Sequence, residues 1–92
     1  MKNRSVVYKY KLRQIDFQEI VLREGYQILS VKIQYGEPVL YVLINPDNNR
    51  VKTSIMIIGT GIEFEKTGNE RYLGTCLLHD DSLVLHFFEI KE

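Results

Sequence analysis

Tryptophan is absent from this 92-residue chain, and cysteine and proline are scarce, with one and two residues. The lone Cys76 excludes an intramolecular disulfide, so an oxidising compartment would give this small fold no covalent support. A cytosolic setting is therefore expected. No apolar run approaches the roughly 18 residues of a membrane-spanning helix. The opening segment MKNRSVVYKYKLRQ interrupts its apolar residues too often for the continuous core of a secretion signal. A soluble, unprocessed chain with no membrane partner is the expectation. Net charge is also missing: twelve Lys plus Arg balance twelve Asp plus Glu. The whole-molecule field that drives nonspecific nucleic-acid binding is therefore lacking, and no sequence-specific nucleic-acid partner is expected.

What is present is a chain with 45% hydrophobic and 11% aromatic side chains, enough for one thin core over residues 1–92, a single domain. Any ligand site is expected in a surface groove or between subunits rather than in a deep cavity. The charge balance conceals an asymmetry. Residues 1–46 carry seven basic and four acidic groups, and residues 47–92 carry five and eight. Such a chain can aim one end at an anion or join its ends in an oligomer, although strand pairing is expected to neutralise the difference internally.

Alternation of apolar and polar residues predicts strands. Val6, Tyr8, Tyr10 and Leu12 share one face of the first, and Val7, Lys9, Lys11 and Arg13 share the other. Further strands are predicted over Phe17–Leu22, Gln27–Tyr35, Val39–Ile44, Arg50–Ile58, Arg71–Leu78 and Leu83–Ile90, separated by Gly, Pro, Asn and Asp clusters. The Gly36 and Pro38 region predicts a hairpin, and Asn45-Pro46-Asp47-Asn48-Asn49 predicts a second. No window carries a capped helical stripe; Ile15–Leu22 allows one turn at most. The pattern predicts an all-β fold, a small antiparallel β-sandwich or partly closed barrel of about seven strands. Leu83, Leu85 and Phe87 face one way and Val84, His86, Phe88 and Ile90 the other, so the last strand is expected at the centre of a sheet or at an oligomer interface. A homo-oligomer is expected on the same ground.

Catalytic chemistry is thinly supplied. The turn His79-Asp80-Asp81-Ser82 contains the residue types of a triad, but neighbours within one turn seldom converge, and turn chemistry explains them. His86 is expected to be packed with one nitrogen satisfied. Cys76, His79, Asp80 and Asp81 crowd too closely for a tetrahedral metal site, and Glu63 and Glu65 lack calcium-loop spacing. No enzyme activity, metal or cofactor is predicted. Gly59-Thr60-Gly61 lacks a following helix and the full dinucleotide fingerprint, yet paired glycines can form an anion nest. Ile58-Gly59-Thr60-Gly61-Ile62 is echoed by Leu73-Gly74-Thr75-Cys76-Leu77, which predicts bulges or cleared space. Lys9, Lys11 and Arg13, interleaved with Tyr8 and Tyr10, suit phosphate contacts and base stacking, or protect an edge strand. With Gly59, Thr60, Gly61, Arg71 and His79 they form the candidate ligand-binding set.

The segments YKYKL, ILSVKIQYGEPVLYVLINPD, IIGTG, RYLGTCLL and LVLHFFE resemble a small family found chiefly in bacteriophage genomes, over nearly the whole chain. Its most specific part is Ile28–Asp47, the Q-x-G-x-P hairpin and N-P-D turn. Members often place Trp in the first strand and near Leu40-Tyr41, where this chain has Tyr8 or Tyr10 and Tyr41, so a Trp-specified stacking site would be weakened. The resemblance implies a phage accessory protein in the bacterial host cytoplasm. By analogy with small phage proteins, it implies a non-enzymatic counter-defence protein that sequesters a nucleotide-derived host immune signal. The alternatives are an inhibitor or adaptor blocking a host defence protein, and a minor virion or assembly component.

Overall fold

The computed structural model describes residues 4–91, and the ends of the sequence-level domain, 1–3 and 92, lie outside them. Among the described residues seven strands follow one another without a helix: β1 (Val6–Lys11), β2 (Phe17–Arg23), β3 (Gln27–Gln34), β4 (Glu37–Ile44), β5 (Arg50–Gly59), β6 (Glu70–Leu78) and β7 (Leu83–Ile90). They form two antiparallel sheets, ordered β1-β4-β3 and β2-β5-β7-β6. The all-β sandwich is as the alternation predicts; the sheets stay separate and no barrel closes. Gln14, Ile15 and Asp16, where one helical turn was allowed, form a non-helical connection ahead of β2.

Two of the turns behave as local chemistry dictates. Tyr35-Gly36 reverses β3 into β4 with both residues left-handed (φ 53° and 79°), and His79–Ser82 reverses β6 into β7. The predicted second hairpin at Asn45–Asn49 does not form. Both edges of β4 are already occupied, by β1 and β3, so the turn carries the chain across to the other layer, where β5 pairs β2 and β7. Asn45 Oδ1 accepts the Asp47 N–H at 2.9 Å, and Asn48 Nδ2 donates to the Glu24 carbonyl at 2.8 Å, tying this crossover to the β2–β3 turn. Arg4 grips Asp47 with two hydrogen bonds, of 2.9 and 2.6 Å, and that partner holds the Asp47 carboxyl below its ordinary range.

The core lies between the sheets. Leu40 and Val42 of β4 meet Leu22, Ile55, Ile57, Leu85 and Phe87 from the other layer; burying each stabilises the fold by about 1.5–3 kcal/mol before conformational entropy is counted. β7 is the central strand of its sheet, between β5 and β6, one of the two places its two apolar faces predict. The layers come together most closely along β3 and β6. There Cys76 Sγ lies 3.7 Å from the Val31 carbonyl, and burial pushes its thiol pKa up, which makes it an unreactive core residue. Gly74 sits where the register of β6 slips against β7. This is one of the bulges expected of the repeated glycines, and it clears space for Val31 rather than for an aromatic ring.

Candidate functional site

Register places on one outer surface residues that the sequence scatters. Along β1, Val7, Lys9 and Lys11 point away from the core, opposite Leu43, Tyr41 and Val39 of β4. On the other flank of β4, Ser30 stands opposite Tyr41 and Lys32 opposite Val39. Lys9, Lys11 and Lys32 are exposed, whereas Val39, which register sets between Lys11 and Lys32, is buried. Lys9 and Lys11, two residues apart on one strand, are separated by about 6.5–7 Å along it. Lys11 and Lys32, two strands apart, are separated by about 9.5 Å. The Tyr41 hydroxyl donates to Gln34 Oε1 at 3.2 Å, which fixes one end of its ring on this face. Glu37, at the hairpin end, is the one carboxylate that register puts on the face among the described residues.

The N-terminal excess of positive charge is thus not neutralised by strand pairing. Lys9, Lys11 and Lys32 stand opposite Tyr41 and Val39, not opposite acids. The acidic stretch Glu63–Glu70 belongs to the other layer, where Phe64 packs on Phe88 with ring centroids 6.0 Å apart. The lysines gather on one broad face because the chain divides its strands between layers, while the outer face of the other sheet mixes both signs. β1 is an edge strand, so Lys9 and Lys11 also discourage pairing with other chains. β3 is the other edge of the same sheet, so Lys32 guards that edge in the same way.

The other sequence-level candidates fall elsewhere. Tyr8 and Tyr10 stand opposite Val42 and Leu40 on the core side of β1, so the aromatic that shares the lysine face is Tyr41. Tyr8 remains half exposed, and Tyr10 packs against the core, where burial pushes its hydroxyl pKa up. Arg13 lies past the end of β1, its N–H and carbonyl both held by the Gln18 side chain at 3.0 and 2.7 Å. Gly59 lines a cleft of about 210 Å³ with Gln14, Ile15 and Asp16, close to Arg13 in sequence. His79 lines another of about 320 Å³ with Ile33 and Gly36. Arg71 is at the opposite end of the sandwich, near the start of β6. The candidate set therefore divides between Lys9 and Lys11 on the outer face, Tyr8 and Tyr10 on the core side of β1, Arg13 past its end, the end carrying Gly59–Gly61 and His79, and Arg71 apart from them.

Local hydrogen bonds restrict what those loops can do. The Thr60 N–H donates to the Val84 carbonyl, extending the β5–β7 pairing, and the Ile62 N–H closes a turn on the Gly59 carbonyl, both at 3.2 Å, so the central amide of the expected anion nest is already engaged. His79, Asp80 and Asp81 are all left-handed, with φ of 51°, 54° and 68°, and the Ser82 hydroxyl donates to the His79 carbonyl at 2.7 Å. These contacts shape the reversal of β6 into β7. His86 differs from expectation in having both nitrogens engaged, Nε2 with Thr60 Oγ1 at 2.7 Å and Nδ1 with Thr75 Oγ1 at 3.0 Å.

One polar group escaped the sequence reading. Glu89 is 1% exposed, and it accepts hydrogen bonds from the Tyr26 hydroxyl and from Thr53 Oγ1, the latter at 2.7 Å. Lys91 Nζ donates to the Tyr26 hydroxyl at 3.0 Å and lies 3.5 Å from the carboxylate; these contacts, Tyr26 first, raise the Lys91 pKa. The network floors a cleft of about 400 Å³ also lined by Glu19, Lys52 and Ser54. Its signal was the alternation Leu83, Leu85, Phe87, Glu89, which continues a core face into a carboxylate. Lys32 and Tyr41 had no such local signal; only the pairing of β4 with both neighbours brings them to Lys9 and Lys11. Among the described residues no three His, Cys, Asp or Glu side chains gather where a metal ion could be held.

The fold and this face define a two-layer antiparallel β-sandwich with one basic, aromatic-centred surface. Residues 3–92 match a protein family described as a domain of unknown function, DUF7352, and the chain belongs to that family. No curated protein and no solved structure matches it.

Proposed function

We propose that the protein is a non-enzymatic binding protein that holds a nucleotide-derived anionic ligand on the outer face of β1-β4-β3. The carrying observation is the gathering of Lys9, Lys11 and Lys32 around Tyr41 with no carboxylate between them. Lysines offer compact charges for phosphate, and a phenol ring offers a face for a base; an aromatic contact of this kind is worth about 1–3 kcal/mol per base. The spacing of Lys9 and Lys11 suits two phosphate groups better than one. In a phage-infected cell such a protein would act by sequestration, lowering the free concentration of a signalling nucleotide without altering it.

Equilibrium dialysis against a cyclic dinucleotide and against ADP-ribose tests this. Depletion of one of them at micromolar protein, with the compound recovered intact after denaturation, is expected. Tyr41→Ala should weaken binding about 5- to 100-fold, and a Lys9→Glu/Lys11→Glu/Lys32→Glu variant should abolish it. Binding that survives the triple charge reversal, or no depletion of either compound, would overturn the assignment. Chemically altered ligand would replace sequestration by catalysis.

A further inference from the structure

We infer that the opposite face, the outer surface of β2-β5-β7-β6, is a self-association surface whose occupant is a second copy of this chain. Register lays one apolar row across all four strands: Phe17 of β2 opposite Met56 of β5, Met56 opposite Phe88 of β7, and Phe88 opposite Tyr72 of β6. The Tyr72 and Phe88 rings are in edge contact, 5.7 Å between centroids. Phe64 reaches over Phe88 from the β5–β6 connection. Val84 and Leu77 pair on the same face beyond Thr75 and His86, and Val21 lies beyond Glu19 along β2.

Much of this surface stays in water: Phe17 is 61% exposed and Tyr72 59%, with Val21, Phe64 and Leu77 near half. Since a full aromatic side chain covers about 150–250 Å², these five leave roughly 450 Å² of apolar surface on the face, about two thirds of it in the continuous row of Phe17, Phe64 and Tyr72, a size at which the largest patch of a monomer is often functional. A stable interface buries about 800 Å² per partner, a little over half of it apolar. The patch therefore supplies about the apolar area that one side of such an interface needs.

Charge is compatible with that occupant. The face carries Glu19 and Glu70 against Arg23, Arg50 and Lys52, mixed in sign with a net excess of one, far from the single-sign field that a polyanion or an anionic membrane selects. A mixed-charge, apolar-centred face can meet its own copy with little like-charge repulsion, as an isologous two-fold contact requires. Sheet-on-sheet pairing through this face would leave both lysine faces outward, on opposite sides of the dimer. The association does not depend on any ligand.

Sedimentation equilibrium of the full chain between 1 and about 100 μM tests the inference, a range that reveals low-micromolar association. A mass of twice 10.8 kDa is expected within it. Phe17→Glu and Tyr72→Glu alter exposed side chains and should each raise the dissociation constant at least tenfold while the far-ultraviolet circular dichroism stays unchanged; Tyr72→Ser serves if a charge disturbs folding. Lys9→Glu, on the other sheet, should leave the dimer intact. A monomer throughout the range would overturn the inference. So would a dimer indifferent to changes at both Phe17 and Tyr72, or one that only Lys9→Glu dissociates.

Discussion

Gly74 approaches Val31 so closely that a Cβ on the glycine would stand 2.7 Å from Val31 Cγ1. This contact sets how near β6 can come to β3, and so how tightly the two layers close along one side. Gly74→Ala should destabilise the protein by about 1–3 kcal/mol through overpacking. Val31→Ala in the same chain should recover part of the loss by removing the obstructing methyl. Urea unfolding of both single variants and the double variant gives the coupling; simple additivity would contradict the contact.

Tyr26 donates to a carboxylate that water cannot reach. Tyr26→Phe leaves Glu89 with Thr53 and the more distant Lys91, and the loss should be about 1–3 kcal/mol of unfolding free energy. Lys91→Ala should cost less than about 1 kcal/mol, because the ammonium is half exposed and its attraction is screened. If the two variants lose equal stability, the tyrosine hydroxyl is not the principal support of the buried charge.

Glu70 holds the turn before β6 by accepting from the Thr67 N–H at 2.8 Å, the Thr67 hydroxyl at 2.6 Å and the Gly68 N–H at 3.0 Å. The Thr67 hydroxyl, followed by these amides, lowers the Glu70 pKa from 4.5 to about 2. A folded value below the unfolded one stabilises the native state fully above about pH 4.5 and ceases to do so as the pH falls toward 2. Carboxyl carbon shifts followed by NMR should show a Glu70 midpoint near 2, and Glu70→Gln should remove this group's share of the acid dependence of unfolding. A midpoint above 4 would contradict the hydrogen-bonded turn.

The three left-handed residues of the β6–β7 turn make opposite predictions for two substitutions at one position. Asp81→Gly should stabilise by about 0.5–1 kcal/mol, since glycine adopts that backbone without a Cβ clash. Asp81→Val should destabilise by at least about 1 kcal/mol, because a branched side chain tolerates it least. Thermal unfolding of the pair checks the sign directly.

Much of the fold was legible because strand alternation is a local property. Val6–Leu12 and Leu83–Ile90 announce their two faces residue by residue, and Gly36 announces its turn. The fate of Asn45–Asn49 was not legible, since turn formers specify a reversal of direction and not the layer in which the next strand lands. The candidate site was half visible for the same reason. Lys9 and Lys11 could be paired from β1 alone, whereas Lys32 and Tyr41 join them only through strand register, a relation between segments more than twenty residues apart. Glu89 was visible in principle, as the carboxylate that continues the apolar face of Leu83, Leu85 and Phe87.

The division of the first two strands between layers has a kinetic consequence. β1 and β2 are neighbours in the chain, yet each pairs with a strand beginning some thirty residues later, β1 with β4 and β2 with β5. Only β3–β4 and β6–β7 are hairpins that close locally. These two are expected to order early, and β1 and β2 to dock once their partners exist, so refolding should take milliseconds to seconds as for other chains dominated by non-local pairing. Conservative truncations at Val42 and Leu85 should then slow refolding, while Leu22→Ala should chiefly speed unfolding. The reverse pattern in stopped-flow kinetics would place the amino-terminal strands in the nucleus instead.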